Sequence, residues 1–303
     1  MNIMVTGGAG FIGSHVAKTL EEYGHKVVVI DNFVTGRTEN LKGFRGSIEI
    51  CDVADNQLLQ RKFSIYKPDI IHHLAAQSAI SVSEKNPAQD ARVNIVGTLN
   101  LLAMAKRYNV RRFVFSSTSA VYGRKRWGRL KEHSTLMPDS PYGISKLAAE
   151  WYIRQSDVPH CIFRYANVYG PKQVSIGENQ VIARSLSHFF NGTDFKIVGD
   201  GRQERDFVFV EDVAYAHLLA TVDDLDGTMN LATGKSHSVN EVVDEIADLC
   251  DVRGYKWEHT NSHDPRGSVY MDNWAIRTCT GMKFTPLRDG LKKTIDWWQK
   301  KGE

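Results

Sequence analysis

The sequence predicts an α/β fold, a doubly wound parallel sheet followed by a smaller C-terminal lobe, and three observations predict it. From Asn2 to about Arg164, short β-branched runs alternate with stretches of helical periodicity, the order that sets parallel strands side by side with helices crossing between them. Runs such as VVVID and RFVFSS are apolar without alternation, as strands covered on both faces must be. At 303 residues the chain can bury such a sheet and still form a second, smaller unit.

Taken in order, strands are expected over residues 3–6, 27–30, 48–50, 70–73, 113–116 and 161–163. Between the fourth and fifth, Val93, Val96, Leu99, Leu102 and Met104 recur at helical spacing. Lys106 and Arg107 close that stretch, where cations oppose the helix dipole, so one long helix is expected over 93–108. Ser140 and Pro141 open another helix, as an N-cap and a first-turn proline. Beyond Tyr165 the alternation loosens, and Gly170-Pro171, Gly177, Asn191-Gly192 and Gly199-Asp200-Gly201 divide the chain into shorter elements. Residues 1–166 are therefore expected to form the first domain, with return segments around 206–232, and residues 167–303 mainly the second lobe. Leu291, Ile295 and Trp298 share one face of a final helix over 291–298, a face suited to core or subunit contact rather than to a ligand.

A formal charge of +3 leaves no basic footprint for nucleic acid or a membrane surface, though small anionic ligands stay open. Cys51, Cys161, Cys250 and Cys279 stand apart, with no C-x-x-C pair and no histidine ligand pattern, so neither a metal site nor a disulfide framework is expected. No apolar run approaches the ~20 residues of a bilayer span, and MNIMVTGG has no basic and then apolar leader. A soluble protein of the reducing cytoplasm is expected.

The first strand runs into Gly7-Gly8-Ala9-Gly10-Phe11-Ile12-Gly13 and then a helix with Ile12, Val16 and Leu20 along one face. Gly7 permits the tight turn, Gly10 lets backbone amides approach a pyrophosphate, Gly13 lets helix and strand pack closely, and the helix N-terminus adds partial positive charge. Glycines alone mark only a turn. These follow the first strand, open a helix and are answered about twenty residues on by Asp31, at the end of the second strand. The sheet is thus of the Rossmann type, with a dinucleotide cofactor. A carboxylate at Asp31 accepts hydrogen bonds from both ribose hydroxyls and repels a 2′-phosphate, which favours NAD over NADP. Arg37 reads either as a solvated loop charge or as a phosphate ligand. Asp52 reads either as a partner of the adenine amino group or as the cap of the following helix.

Tyr142 and Lys146, in SPYGISK, lie four apart and share one helix face near its start. A tyrosine near its reference pKa of ~10 is a poor base at neutral pH and needs a neighbouring cation to favour phenolate. Lys146 and the positive nicotinamide ring supply it. Ser117 and Thr118, in FSSTSAVYG, stand at the carboxyl end of a strand, where open α/β sheets bind ligands and where a hydroxyl can hold a substrate hydroxyl and relay its proton. Alone, the Tyr/Lys spacing also fits an ordinary surface contact; beside the glycine turn it reads as a chemical site.

The ordered blocks VTGGAGFIGSH, IDNFVTGRTENL, HLAAQ, Asn94-Ile95-Val96-Gly97-Thr98, SSTSAVYG, SPYGISK, RYANVYGPKQ, GDGRQERDFVFVEDVA and NLATG resemble the extended short-chain dehydrogenase/reductases of the NAD-dependent epimerase/dehydratase family, from Asn2 to roughly Trp298. Within that family the chain is most similar to the UDP-hexose 4-epimerases. The resemblance implies Tyr142 as base and acid, Lys146 on the nicotinamide ribose, and Thr118 on the hydroxyl at sugar C4. Around the cofactor it implies Phe11, Ile12, Asn32, Val53, Leu74, Ala75, Ala76, Asn94 and Tyr165 beside Gly7, Gly10, Gly13, Asp31 and Asp52. For the UDP-sugar it implies Asn167 and Arg205 at the diphosphate, Val181 and Ile182 near the uracil, and Arg266, in a loose match to the family's Arg-x-Gly segment. A turn cap is the plain alternative for Asn167, and an ion pair with Asp206 or Glu204 for Arg205. The implied reaction is hydride transfer from C4 to NAD, rotation of the 4-keto sugar and hydride return to the opposite face. Family members pair as homodimers through the 93–108 and Tyr142 helices.

Other reactions of the family are set apart by two positions. Its 4,6-dehydratases carry Asp-Glu directly after the catalytic threonine and its decarboxylases Ser-Glu; here Ser119 and Ala120 follow Thr118. A UDP-uronic acid epimerase or decarboxylase is the alternative reaction, and an NAD-binding sensor or scaffold the non-enzymatic alternative. Residues 124–131, RKRWGRLK, are strongly basic and read either as a solvated loop or as a lid that attracts an anionic sugar.

Overall fold

The computed structural model describes residues 1–123, 128–174, 180–223, 225–252, 255–261 and 269–302. In chain order its strands are β1 (Asn2–Thr6), β2 (Lys26–Asp31), β3 (Ser47–Ile50), β4 (Ile70–His73), β5 (Arg112–Thr118), β6 (Gly128–Leu130), β7 (His160–Tyr165), β8 (Asn167–Tyr169), β9 (Glu204–Arg205), β10 (Phe207–Phe209), β11 (Gly227–Leu231), β12 (His237–Ser238) and β13 (Val269–Met271). Its helices are α1 (Phe11–Glu22), α2 (Asn56–Tyr66), α3 (Ile80–Lys85), α4 (Pro87–Ala91), α5 (Gly97–Arg107), α6 (Pro141–Gln155), α7 (Val181–Asn191), α8 (Val210–Val222), α9 (Val239–Leu249), α10 (Trp274–Thr280) and α11 (Leu287–Gly302).

The large sheet runs β3-β2-β1-β4-β5-β7-β11, every pair parallel. Each of the six strands expected from sequence lies in it, lengthened by up to three residues. Strand periodicity sends successive side chains to opposite faces. Ile3, Val5, Val27, Val29, Val114 and Phe163 therefore pack with Val16, Leu20, Val213 and Ala216 of α1 and α8. Met4, Val28, Ile30, Phe113, Phe115 and Ile162 pack with Leu59, Phe63, Leu101, Ala149 and Ile153 of α2, α5 and α6. The strand order turns back between β1 and β4, and a crevice for ligands opens at the carboxyl ends of strands beside such a switch point.

The helix expected over 93–108 starts earlier. Asn86 caps it, its side chain accepting from the Gln89 amide at 3.1 Å, with Pro87 in the first turn. The path then continues through a single π turn, Arg92–Val96, into α5. The extra residue in that turn rotates Val96 outward, to 45% exposure, while Asn94 is buried.

Between α6 and β7 lies a buried ion pair. The Arg164 guanidinium donates to both oxygens of Glu150, at 3.0 and 2.7 Å, and also to the Tyr122 hydroxyl and the Glu132 carbonyl. Neither charged side chain has appreciable exposure. A buried pair broken on one side leaves a charge without solvent, so Arg164→Met is expected to destabilise the fold by about 3–5 kcal/mol. The midpoint of urea denaturation measures this; a midpoint shared with the parent protein would contradict it.

A second core lies beside the sheet. Ile182 and Leu186 of α7, Val242 and Ile246 of α9, and Leu291, Ile295 and Trp298 of α11 close one core against Phe207 and Phe209 of β10, so the apolar face of the last helix is a core face. Ser238 and Glu241 make a capping box at the start of α9. A small sheet, β12-β9-β13-β6, borders this core. Its edge strand β6 comes from the basic stretch after Tyr122, so 128–130 is strand rather than free loop, and Arg129 pairs with Asp272 at 3.0 Å. Lys131 beyond β6 is exposed, and residues 124–127 of the stretch read as loop or lid lie outside the described residues. The segment 206–232 returns to the large sheet: α8 packs on its α1 face and β11 pairs with β7.

Candidate active site

At the end of β1, Gly7 sits at φ +70°, and a Cβ there would lie 2.6 Å from the Ala75 amide nitrogen. At Gly13 a Cβ would lie 2.1 Å from the Gly7 carbonyl. The tight turn and the close helix packing therefore each need glycine. Gly10 differs. Its φ of −74° suits any residue, and a Cβ would press only on the Gly7 carbonyl, at 3.1 Å. Gly10 is also the N-cap of α1, with no side chain on the amides of the first turn. The chain's own packing accounts poorly for that glycine, whereas an anion seated on the helix N-terminus accounts for it well.

Asp31 closes the second side of this cradle. It is 6% exposed, and its two oxygens accept from the Ala9 and Phe33 amides at 2.9 and 2.8 Å, which leaves each oxygen a lone pair for a ribose hydroxyl. Burial pulls its pKa up and the amides pull it back. The following loop folds onto this carboxylate: a Cβ on Gly36 would meet Asp31 Oδ1 at 2.7 Å, and the Arg37 amide donates to the Ala9 carbonyl at 2.9 Å. Arg37 itself is exposed. The cradle fits a dinucleotide.

Asp52 is not the helix cap. That position belongs to Asp55, whose carboxylate accepts from the Leu58 amide at 3.0 Å. Asp52 accepts from the Ala54 amide at 2.8 Å and pairs with Arg92 at 3.2 Å, half in solvent. Val53 is buried against Gly97, where a Cβ would lie 2.6 Å from Val53 Cγ2. Leu74 and Ala75 cross over Gly7 in the loop after β4, and Ala76 follows them. His73 anchors that loop from beneath: Nδ1 meets Thr6 Oγ1 at 2.8 Å and Nε2 meets Thr98 Oγ1 at 2.9 Å. Because Thr98 gives its proton to the Asn94 carbonyl, Nε2 is the donor. Burial, with Lys146 nearby, pushes its pKa well down.

Ser140 caps α6 by accepting from the Gly143 amide at 3.2 Å, and Pro141 takes the first position. Gly143 lets the helix start against the preceding turn, since a Cβ would stand 2.8 Å from the Ala120 carbonyl. Tyr142 is thereby set beside the end of β5, where the Thr118 hydroxyl is near enough to favour its phenolate. Burial pushes its phenol up to about 12, against the pull of that hydroxyl and with help from the charge of Asp90. Lys146, 2% exposed, stands with Nζ 4.0 Å from the centre of the Phe115 ring, and burial lowers it to about 7.

Tyr142, Thr118 and Lys146 thus share one end of the sheet with the glycine cradle, and Ser117 does not join them. Its hydroxyl donates to Glu150 at 2.5 Å, inside the Arg164 network. Tyr165 turns its hydroxyl away too, to Ser116 at 2.7 Å and His217 at 2.5 Å. Asn94 is bound on every polar atom by protein: its Oδ1 accepts from the Gln77 amide and its Nδ2 reaches the Gln77 carbonyl, Asp90 and Ser145. Phe11 and Ile12 lean on the second core, while Asn32 is exposed beside Asp31. Asn167 Nδ2 donates to the Asp206 carbonyl at 3.1 Å. Asp206 spends its carboxylate on Thr233 and Gly234, and Arg205 donates to the Glu204 carbonyl at 2.6 Å. The ion pair between Arg205 and Asp206 is therefore not what holds that strand. Val181 is half-buried at the head of α7, and Ile182, 2% exposed, is a core residue. Arg266 lies outside the described residues.

Sequence reasoning passed over Ser83, which accepts from the Tyr142 amide at 3.2 Å, and over Gln77, Asp90 and Ser145, which tie the β4 loop to α6. Gln77 ends the block HLAAQ, and Asp90 precedes Asn94 by one helical turn; those spacings were the available signal.

A family model described as the NAD dependent epimerase/dehydratase family matches residues 3–232. A UDP-glucose 4-epimerase of Mycolicibacterium smegmatis is 34% identical over 318 residues, covering 100% of both chains. The crystal structure of UDP-glucose 4-epimerase from Thermotoga maritima, with UDP-glucose, superposes with a TM-score of 0.94 at 36% identity and 100% coverage of both chains. That of Thermus thermophilus UDP-glucose 4-epimerase, in complex with NAD, superposes with a TM-score of 0.90 at 33% identity and 99% coverage of each. A match running from the first strand to the end of the large sheet takes in both the cradle and the Tyr142 helix, and the chain belongs to the NAD-dependent epimerase/dehydratase family.

Proposed function

We propose that this chain is an NAD-dependent UDP-sugar 4-epimerase, of the UDP-glucose/galactose type or its N-acetyl analogue. The observation that carries the reading is Tyr142 set beside Thr118 and a buried Lys146 at one end of the sheet, with Ser119 and Ala120 where elimination would put two carboxylates and Ala120 where decarboxylation would put one. Bound NAD supplies the acceptor and donor of hydride at the sugar carbon. The residues supply the rest. Tyr142 removes the proton of the C4 hydroxyl and returns it, and Thr118 fixes that hydroxyl within reach. Lys146 brings positive charge to the developing phenolate and holds the nicotinamide ribose. The α1 N-terminus holds the pyrophosphate and Asp31 the adenosine ribose. Asn167 and Arg205 face the diphosphate and Val181 borders the uracil, in a lobe drawn from 167–303.

The purified protein, given UDP-glucose, UDP-galactose, their N-acetyl analogues and UDP-glucuronate, is expected to interconvert a C4 pair with no net change in reduced cofactor. Products are read by NMR. Loss of carbon dioxide from UDP-glucuronate, with no interconversion of any pair, would replace the reading with a decarboxylase.

A homodimer is supported by the outer face of α6, where Ile144, Trp151 and Tyr152 are 54%, 54% and 48% exposed, next to Val96 on the neighbouring helix path. An apolar stripe of that kind marks an interface more often than a free surface. Sedimentation as a monomer at micromolar concentration would remove it. The buried thiols of Cys51 and Cys161, both unpaired, support a reducing, cytoplasmic setting.

A further inference from the structure

Asp90, on α4, is 1% exposed. Its Oδ1 accepts from Gln77 Nε2 at 2.9 Å and Asn94 Nδ2 at 3.1 Å, and its Oδ2 is buried with no hydrogen-bond partner among the described residues. Both donors are neutral amides, so the negative charge is not cancelled. The same Asn94 Nδ2 meets Ser145 Oγ at 3.0 Å, and Ser145 donates to the Tyr142 carbonyl at 3.0 Å. A rigid bracket therefore holds this carboxylate at a set place relative to the reactive face of α6. A buried acceptor left open is costly and calls for a reason.

Among the described groups facing the Tyr142–Lys146 pair, Glu150 also carries charge, and it acts on Lys146 and not on Tyr142. Glu150, on α6, is held by Arg164 and Arg154. His73, from β4, is neutral, and Tyr165, from β7, keeps its proton between Ser116 and His217. Thr118 and Phe115, from β5, bring a hydroxyl and a ring. Asp90 is the carboxylate whose charge still reaches both members of the pair, and it favours the protonated form of each.

We propose that Asp90 is a positioning residue, the standing counter-charge of the Tyr142–Lys146 pair, which sets how readily Tyr142 gives up and recovers its proton. The proposal rests on Tyr142 acting as base and acid. A phenol that must take a proton and return it in each turnover is impaired as much by too low a proton affinity as by too high a one. Lys146 and the cationic ring of bound NAD both lower that affinity, and Asp90 opposes them.

The test is a pH titration of the NAD-loaded enzyme, following the ultraviolet phenolate band that is lost in Tyr142→Phe. Asp90→Asn keeps the Oδ1 acceptor and removes the charge. Its midpoint is expected to fall by roughly half a pH unit, with the acid limb of the kcat–pH profile moving the same way and KM unchanged. Asp90→Ser, smaller and also neutral, is expected to move the midpoint in the same direction, and Asp90→Glu to restore it. A midpoint that stays in place or rises in both neutral variants overturns the proposal, even where turnover falls. A midpoint that falls in an enzyme turning over no UDP-sugar supports the electrostatic coupling and sinks instead the functional reading beneath it.

Discussion

Tyr142→Phe is expected to lower kcat by about three orders of magnitude while the protein keeps its dinucleotide. The substitution removes one oxygen and preserves the ring, so the packing of α6 against β5 is left as it is. What disappears is the hydroxyl beside Thr118, the group to which we assign exchange of the C4 proton. The cradle we assign to the dinucleotide, Gly10, the α1 N-terminus and Asp31, belongs to other elements. In the unliganded chain burial holds the Tyr142 phenol near 12. At neutral pH almost none of it is phenolate, and competence waits on positive charge delivered when the site fills. Two measurements check the expectation: the rate of UDP-glucose and UDP-galactose interconversion, and the NAD released on denaturing the purified variant. A variant within tenfold of the parent rate would remove Tyr142 from the chemistry.

The parts of this architecture legible in the sequence are those fixed by near neighbours. Apolar runs and the glycine turn set the large sheet. The Ser140 cap with Pro141 sets the start of α6, and four-residue spacing puts Tyr142 and Lys146 on one face. What escaped depends on partners far along the chain. Ser117 and Thr118 are adjacent hydroxyls on one strand, and only the position of Glu150, 33 residues on, sends Ser117 into the ion-pair network. Tyr165 is claimed by His217, 52 residues on. Asp52 and Asp55 are equally plausible caps by composition, and the choice follows from where α2 turns its first amides. The π turn over Arg92–Val96 has no residue signature; it is visible only as the outward rotation of Val96 and the inward rotation of Asn94.

Lys146→Met is expected to abolish most turnover and yet to stabilise the protein freed of dinucleotide, with a gain that depends on pH. Burial takes the lysine from 10.5 to about 7, so from pH 7 to 10.5 the unfolded chain carries a proton that the folded chain does not. Unfolding then takes up a proton, and stability rises with pH across that window. Below pH 7 the lysine is charged in both states and the whole penalty of burying it stands, about 5 kcal/mol by linkage. Methionine fills a similar volume over the Phe115 ring with no charge. The linkage figure is already net of the attraction of Glu150 and Asp90, which raise the lysine against its burial. Thermal midpoints of the two proteins are therefore expected to differ most near pH 6, the variant higher, and to converge towards pH 10. A constant difference across that range would mean that the lysine is not held near neutrality by burial. A variant less stable than the parent at pH 6 would mean that its charge is already matched in the resting fold, leaving nothing in reserve for the reaction to draw on.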